Sequence, residues 1–348
     1  MKLLIVTQSV DKNDENLGAF YYWWERMAKD HELTIIAGRI GTVDLPKHVQ
    51  LYSFGKDKGY NKLQRIWKFW ELFSRHYARC DAVLFHQIPE FVIAATPFIW
   101  TLRKPKILWY AHGAAPRSLV IAERLVDDVV TSSREGFRLP SKKAHYVGQA
   151  INTDVFRPPP ENLLELRDNH EVRLITVGRT SPVKNYHILL EACARGKRQW
   201  TFPWSLAVVG GPLRPGDDTY LAELKQQTLR NGLSDLVSFR GASSYSDIPR
   251  MLQEHDMFIN LSQTGSLDKA VFEAMATGLT VLTSNEAYRR MLPEPYVLHS
   301  LDPAYIAERI AALARDRRPN MDLRKIVVVH HSIDRTIERI LGLVRPTA

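Results

Sequence analysis

Two cations follow an apolar run in the second half of the chain and suit a diphosphate ligand. The segment 173–179 reads RLITVGR and ends at Arg179, and Lys184 comes five residues later. Arginine offers a forked set of donors and lysine a mobile point charge, and both geometries match phosphate oxygens. A solvated pair of cations beside a strand end explains these two residues equally well when they are taken alone.

A second segment, NLSQTGSLDKAVFEAMATGLTVLTS at 260–284, reads as a strand end, a glycine-containing loop and a helix. Backbone N–H groups at such a loop and helix start can bind an anion or sugar hydroxyls. Glu273 lies farther along the helix, where its carboxylate can accept two ribose hydroxyls. A lone helix glutamate is usually exposed, but the small residues beside Glu273 predict close packing.

The first half of the chain offers two weaker candidates. The segment 7–20 predicts a strand-to-helix loop containing Gly18, where a helix start directs partial positive charge at a ligand. A glycine selected for its backbone angles is an equal alternative. His112 ends the predicted strand 106–112, although a lone histidine at a strand end is more often structural.

Several common kinds of site are disfavoured by the motifs. No GxGxxG follows the apolar run at 2–7, which disfavours a nicotinamide or flavin dehydrogenase, and no GxxxxGK[ST] supports a P-loop. No HExxH or Asp-x-Asp motif indicates a metal. The two cysteines, Cys80 and Cys193, show no ligand spacing and suit a reducing cytoplasm.

The elements that position these residues alternate between short apolar runs and helix-length segments. Continuous apolar runs are typical of strands buried on both faces, and the alternation favours parallel sheets covered by helices. We therefore predict an α/β fold. The predicted strands lie at 2–7, 33–38, 81–86, 106–112, 173–179, 205–211, 237–241, 257–262 and 280–285.

The strand pattern occurs twice, with a stiff break at Pro158, Pro159 and Pro160 between the two sets. We predict two domains that meet at a hinge near residue 157, the first over 1–156 and the second over 157–329. A C-terminal helix at about 330–348 is expected to pack back on the first domain. Two such domains would enclose a cleft that holds two substrates.

Taken together, VGRTSPVK, VVGGP, FRG and EAMATGLTV occur in an order that resembles the retaining glycosyltransferases of family GT4. YAHG and VTSS match more loosely in the first half, and VGQAINTDVFRP resembles the hinge element of that family. The resemblance implies a GT-B fold, in which two Rossmann-like domains with parallel sheets face each other across a cleft.

The resemblance also implies roles for individual residues. His112 would contact the transferred sugar, while Arg179 and Lys184 would neutralise the departing diphosphate. The implied donor-binding residues are Gly18, Gly178, Gly241, Gly265, Ser266, Leu267, Asp268, Val271 and Glu273. The donor would be a UDP-sugar or GDP-sugar, attacked on the same face with help from its own phosphate, without a cofactor or an obligatory metal.

One position departs from the family pattern. The family has a glutamate eight residues before Glu273, where this chain has Gly265 within TGSLDK. In the usual version that acid contacts hydroxyls of the donor sugar. Asp268, or the N–H groups of Gly265, Ser266 and Leu267, would replace it, so the identity of the donor sugar stays open.

Charge and apolar pattern point to anionic partners. The chain carries 47 Lys and Arg against 38 Asp and Glu, a formal charge of +9, and the segment 56–79 has seven basic and two acidic residues. The same segment has an apolar helical stripe of Leu63, Ile66, Trp67, Trp70, Phe73 and Tyr77. Such a helix lies on an anionic membrane or packs on the sheet with its cations in water, and packing is the preferred interpretation.

Both interpretations hold if Trp23, Trp24, Phe69 or Trp100 is exposed. With no predicted signal peptide or spanning segment, we expect a cytoplasmic protein, either free or peripheral on the inner face of the membrane. The acceptor would be a glycan or a lipid-linked hydroxyl. A sugar-nucleotide epimerase of the same architecture and a non-catalytic sugar-nucleotide or membrane-binding protein are the alternatives, whereas nucleic-acid binding is disfavoured because no such module is present.

Overall fold

The computed structural model describes residues 1–14, 17–134, 136–161, 171–263 and 267–344. The chain forms two compact units. Unit 1 contains Met1–Ala150 and His330–Ala348, and unit 2 contains Ile151–Val329. The chain therefore passes from unit 1 to unit 2 at Ile151, six residues before the predicted hinge at residue 157.

Unit 1 is built on a parallel sheet that has seven strands within the described residues. Their order across the sheet is β3-β2-β1-β4-β5-β6-β7. The strands are β1 (Lys2–Val10), β2 (Glu32–Ile40), β3 (Gln50–Ser53), β4 (Ala82–His86), β5 (Lys106–Trp109), β6 (Asp128–Thr131) and β7 (Ala144–Tyr146). The edge strands β3 and β7 and the inner strand β6 were not predicted. All three are short, and β3 and β7 are also mostly not buried, so they carry little apolar pattern.

In the described part of the first 150 residues, the helices are α1 (Gly18–Met27), α2 (Lys62–Tyr77), α3 (Pro89–Ala94), α4 (Thr96–Ile99) and α5 (Arg117–Leu125). Helix α2 begins with a capping box, in which Asn61 accepts from the Gln64 N–H at 3.0 Å and the Gln64 side chain accepts from the Asn61 N–H at 2.9 Å. This box satisfies two otherwise unpaired donors and fixes where the basic helix starts.

The apolar stripe predicted for α2 divides between the core and the surface. Phe73 and Tyr77 are buried in the core of unit 1, whereas Leu63 and Trp67 are exposed. Contact with a membrane, in addition to packing on the sheet, required that one of four aromatic side chains be exposed. Trp100 is exposed, whereas Trp23, Trp24 and Phe69 are buried. The helix therefore packs on the sheet, as the preferred interpretation predicts, and still presents apolar side chains to solvent.

Unit 2 has a parallel sheet of five strands within the described residues, ordered β10-β9-β8-β11-β12. The strands are β8 (Val172–Val177), β9 (Trp204–Val209), β10 (Val237–Gly241), β11 (Met257–Asn260) and β12 (Thr280–Thr283). Each of these strands begins at the predicted residue or one residue before it. The predictions extend past the strand ends at β8, β9, β11 and β12, because apolar and small residues continue into the following loops.

Helices cover both faces of this sheet. They are α6 (Tyr186–Gln199), α7 (Asp217–Arg230), α8 (Ile248–Gln253), α9 (Lys269–Ala276), α10 (Pro303–Leu313) and α11 (Met321–His330). The neighbouring strand residues Leu174 and Ile175 belong to different apolar clusters, one with α6, α7 and α10 and the other with α8, α9 and α11. Burial on both faces is the reason why the strands read as unbroken apolar runs.

The last described helix, α12 (Ile333–Leu341), belongs to unit 1. Its buried isoleucines, Ile333, Ile337 and Ile340, are part of the core formed with α1 and β1. The Thr336 hydroxyl donates to the Val147 carbonyl at 3.1 Å. Among the helices in the described ranges, none is long and apolar enough to cross a membrane.

Candidate functional site

The candidate site of unit 2 lies at the carboxyl ends of β8 and β11. These strands are neighbours, yet the chain runs from β8 to β9 and β10 on one side before it returns to β11 and β12 on the other. In open parallel sheets, such a reversal leaves a crevice beyond the strand ends in which ligands bind. Arg179 follows β8 by two residues and therefore lies at this edge.

The loop after β8 is held in place by side chains as well as by its own backbone. Pro182–Lys184 forms a short 3-10 turn, and Asn185 follows with a left-handed backbone (φ +53°). The Asn185 side chain donates to the Leu261 carbonyl at 2.8 Å, which ties this loop to the end of β11. This contact could not be predicted from the sequence, because Leu261 is 76 residues away.

Gly178 and Gly210 allow the ends of β8 and β9 to approach closely. A Cβ on Gly210 (φ +130°) would lie 2.0 Å from the Gly178 carbonyl oxygen, so a larger residue cannot fit. A Cβ on Gly178 (φ +155°) would lie 3.3 Å from the Cε atom of Lys184. Gly241, another predicted donor-binding residue, ends β10 with φ +72°.

Lys184 is paired with Asp268, which lies at the start of α9. The Lys184 ammonium is 3.0 Å from Oδ2 of Asp268, and the Asn260 amide donates to the same oxygen at 2.9 Å. The Thr283 hydroxyl donates to Oδ1 of Asn260 at 3.0 Å, which orients that amide. The Tyr288 hydroxyl donates to the backbone carbonyl of Asp268 at 2.6 Å. The loop after β8, the end of β11 and the start of α9 thus meet at this ion pair.

Arg179 lies beside a different acid. Its Nε is 3.5 Å from the Ser181 hydroxyl, which is a weak hydrogen bond. Asp217 accepts backbone N–H bonds from Arg214 at 2.9 Å and Leu213 at 3.1 Å, and these bonds, with a smaller contribution from the charge of Arg179, lower the pKa of Asp217. The guanidinium therefore stands near an ionised carboxylate at the strand edge.

Glu273 is buried, with 4% of its surface exposed, so the interpretation as an exposed helix glutamate is wrong. The Tyr245 hydroxyl donates to its Oε1 at 2.6 Å. Burial raises the pKa of Glu273, while the charge of Lys269 and the bond from Tyr245 oppose that rise. A buried carboxylate with one oxygen already bonded is suited to accept hydroxyl donors.

Lys269 and Tyr245 complete this cluster, and sequence reasoning missed both. Loss of solvation lowers the pKa of Lys269 to about 8, and the charge of Glu273 opposes that fall. The Lys269 ammonium lies 5.9 Å from the centre of the Tyr245 ring. Lys269 precedes Glu273 by one helical turn, a spacing that was available as a signal. Tyr245 carried no signal, because it lies in a loop 28 residues away.

Other predicted donor-binding residues lie apart from these contacts. The side chains of Leu267 and Val271 are buried in an apolar cluster of unit 2, and the Val271 N–H donates to the Asp268 carbonyl at 3.1 Å. Gly265 and Ser266 lie outside the described residues. In the portions of the chain that the structure describes, no three His, Cys, Asp or Glu side chains group as metal ligands.

In unit 1, Gly18 is the first residue of α1, and its N–H donates to the Asp14 carbonyl at 2.8 Å. Asp14 is ion-paired with Arg39. His112 is exposed and lies three residues beyond β5, so the predicted strand was too long. The Ala114 N–H donates to Nδ1 of His112 at 3.1 Å, which leaves Nε2 as the nitrogen that carries the proton.

Known proteins are similar to this chain in the sequence of the site region and in architecture. Residues 165–326 match the family model described as Glycosyl transferases group 1. The amylovoran biosynthesis glycosyltransferase AmsK of Erwinia amylovora is 28% identical over 183 residues, 50% of this chain and 42% of that protein. Mannosylfructose-phosphate synthase of Agrobacterium fabrum is 26% identical over 155 residues, 43% of this chain and 34% of that enzyme.

The chain therefore matches less than half the length of either relative. Among solved structures, Anabaena Alr3699/HepE in complex with UDP and glucose superposes with a TM-score of 0.75 at 17% identity and covers 98% of both chains. This likeness, together with the two parallel-sheet units, confirms the predicted GT-B fold class.

Proposed function

We propose that this protein transfers a sugar from a nucleotide diphosphate sugar to a hydroxyl acceptor and retains the configuration of the sugar. The observation that carries the proposal is the placement of Lys184, Asp268 and buried Glu273 around the end of β11 and the start of α9. The match of residues 165–326 to a glycosyltransferase family supports it, as do the activities named for AmsK and mannosylfructose-phosphate synthase.

The cations of unit 2 stabilise the leaving group in this mechanism. Breaking the bond between sugar and phosphate leaves negative charge on the diphosphate, and donors placed in advance lower that barrier. Arg179 and Lys184 supply this charge. Lys184 starts from its ion pair with Asp268, so the diphosphate must share or replace that partner.

Glu273 holds the ribose in the same proposal. Its Oε1 accepts from Tyr245, and the remaining lone pairs accept the two ribose hydroxyls. We expect the missing first acid of the family motif to be replaced by Asp268 or by N–H groups at 265–267. The assignment to GT4 with this TGSLDK variant, the sugar contact of His112 and the donor contact of Gly18 are part of the proposal.

The donor is expected to be a UDP-sugar or GDP-sugar, as HepE is bound to UDP in its solved structure. We expect attack on the same face with help from the leaving phosphate and without an obligatory metal. The acceptor is expected to be a lipid-linked or cell-envelope glycan, because unit 1 exposes apolar side chains among basic ones.

A thermal-shift panel of UDP-, GDP- and ADP-sugars tests the proposal. One donor should raise the melting temperature of the wild type, and Glu273→Gln should abolish most of that shift, since it removes the charge that accepts the ribose hydroxyls. Glu223→Gln, on the exposed face of α7, is the matched control and should behave as wild type. No shift with any donor would contradict the proposal.

The reaction products separate the proposal from its alternatives. Incubation of the stabilising donor with a pool of glycan and lipid acceptors should release nucleoside diphosphate and label the acceptor. An altered free sugar without a labelled acceptor would indicate an epimerase. Donor binding with no turnover in any pool would indicate a non-catalytic binding protein.

A further inference from the structure

Among the described residues of unit 1, the most exposed large apolar side chains lie on α2 and directly after α4. Leu63 and Trp67, on the first two turns of α2, are 70% and 68% exposed. Trp100, which follows α4 directly, is 74% exposed, and Leu102 is exposed as well. We call these four residues the tryptophan surface.

Ring contacts and a hydrogen bond hold α2 against the segment around α4. The Trp67 ring lies 5.5 Å from the Trp70 ring, which in turn lies 6.4 Å from Phe98 of α4. The Tyr77 hydroxyl, at the far end of α2, donates to the Leu102 carbonyl at 2.7 Å. Helix α2 therefore lies alongside residues 96–102, and both elements carry exposed tryptophans.

The core of unit 1 does not need these side chains. The inner face of α2 already buries Phe69, Leu72, Phe73 and Tyr77 in the apolar cluster. Exposed tryptophan and leucine side chains leave apolar area in water that a partner could cover, at about 25 cal/mol for each Å² buried. Clustered exposure of this kind marks a binding surface rather than scattered surface residues.

The charge around the tryptophan surface is positive. Segment 56–79 has seven basic and two acidic residues. Its Glu71 is already paired with Lys68 at 2.8 Å and Arg75 at 3.1 Å. Arg103 follows directly on the exposed segment and, with Trp100, lines a cavity of about 790 Å³ within unit 1. The two acidic residues of this cavity already have partners, since Asp127 is 2.8 Å from Lys106 and Asp128 is 2.8 Å from His145.

We propose that the tryptophan surface docks unit 1 on an anionic lipid bilayer. Tryptophan favours the level of lipid headgroups, and neighbouring lysine and arginine are attracted to anionic lipids by about 1 kcal/mol each. A second copy of this chain fits less well, because pairing two such surfaces would bring like charges together. This inference concerns binding alone and does not depend on the proposed glycosyl transfer.

Vesicle co-sedimentation without any donor or acceptor tests the inference. At physiological salt, the protein should bind vesicles of phosphatidylcholine containing about one third phosphatidylglycerol at least about tenfold more tightly than pure phosphatidylcholine vesicles. Equal binding to both, or binding to neither, would overturn the proposal whatever the enzymatic activity is.

Two substitutions of the same kind give a matched comparison. Leu63→Ser removes an apolar side chain from the tryptophan surface, and Leu229→Ser removes one of equal exposure (71%) from α7 of unit 2. Leu63→Ser should weaken binding to the anionic vesicles by about fivefold, since it removes buried apolar area. Leu229→Ser should leave binding unchanged, and an equal effect of both would overturn the proposal.

The double variant Trp67→Ser/Trp100→Ser should weaken vesicle binding by about a hundredfold. Its melting temperature should stay near that of the wild type, because both side chains lie outside the core. A double variant that melts normally and binds vesicles as well as wild type would overturn the proposal. So would sedimentation velocity showing a dimer that these substitutions dissociate, since the surface would then be occupied by a second copy.

Discussion

The ammonium of Lys184 lies 3.0 Å from Oδ2 of Asp268, an oxygen that also accepts from the Asn260 amide. The sequence predicted separate donor roles for these two residues, one on the diphosphate and one as a substitute for a missing glutamate. Their pairing joins the two roles. A diphosphate that binds Lys184 must compete with a carboxylate that belongs to the protein.

The first prediction concerns this competition. Asp268→Asn should tighten binding of the nucleoside diphosphate by about threefold or more, because the substitution removes a negative charge beside the cation. Calorimetric titration with UDP and GDP measures the effect. In a Lys184→Met background the same substitution should have little effect, since coupled residues do not contribute additively.

Asp235→Asn, on the exposed surface of unit 2, is the control for the change of charge and should bind like wild type. Weaker binding by Asp268→Asn would contradict the prediction and would mean that Asp268 chiefly orients Lys184. Equal effects in both backgrounds would mean that Asp268 acts on the nucleotide independently of Lys184.

The second prediction concerns the bond between Tyr245 and Glu273. Tyr245→Phe removes a 2.6 Å hydrogen bond to a buried carboxylate, so the carboxylate is less well oriented for the ribose. The affinity for a nucleoside diphosphate should fall by about three- to tenfold, the cost of about one ordinary hydrogen bond, because the carboxylate keeps its charge and loses only its orientation. The affinity for inorganic pyrophosphate, which has no ribose, should not change. A parallel loss for pyrophosphate would refute the ribose assignment.

The third prediction is a dependence of stability on pH in unit 1. Burial, and then the charges of His330 and Arg339, lower the pKa of His331 from 6.5 to about 4. Between these values the unfolded chain binds a proton that the folded chain excludes, so the free energy of unfolding falls as pH drops from 6.5 towards 4. The loss from this residue is at most about 3 kcal/mol.

His331→Asn should flatten this part of the curve of melting temperature against pH. The neighbouring His330→Asn is the matched control, because His330 is exposed, and it should keep most of the slope. If both variants kept the slope of the wild type, other groups would be responsible for the acid sensitivity.

The fourth prediction concerns the start of unit 2. The Arg324 guanidinium donates to the carbonyls of Phe156 at 2.9 Å and Thr153 at 3.2 Å, and it also bonds the Ala276 carbonyl at the end of α9. Arg324→Met should lower the free energy of unfolding by about 2 kcal/mol or more, since buried carbonyls lose their donors. Chemical denaturation measures this loss, and Lys325→Met, at an exposed position, should show almost none.

The strands of unit 2 could be predicted from the sequence because they are buried on both faces, and strands of this kind have unbroken apolar sequences. The motifs also predicted that Lys184 follows the end of a strand and that Glu273 lies on a helix. The pairing of Lys184 with Asp268 could not be predicted, because 84 residues separate them and no local pattern records the contact. The same reason hid Tyr245 from the sequence.

Unit 1 was harder to predict for a different physical reason. Its edge strands are short and partly exposed, so their residues have little apolar periodicity. The strand predicted to end at His112 stops at Trp109, because a run of aromatic and small residues continues into the loop. Composition alone did not distinguish the buried Phe69 from the exposed Trp67 on α2, and only the packing of the helix decided it.

The most direct test of the central claim is the turnover of Arg179→Ala with the donor that stabilises the wild type most. If Arg179 neutralises the departing diphosphate, kcat/KM should fall by about a hundredfold or more, the usual effect of removing one such donor. An Arg179→Ala protein that is folded and turns over that donor at the rate of the wild type would contradict the account.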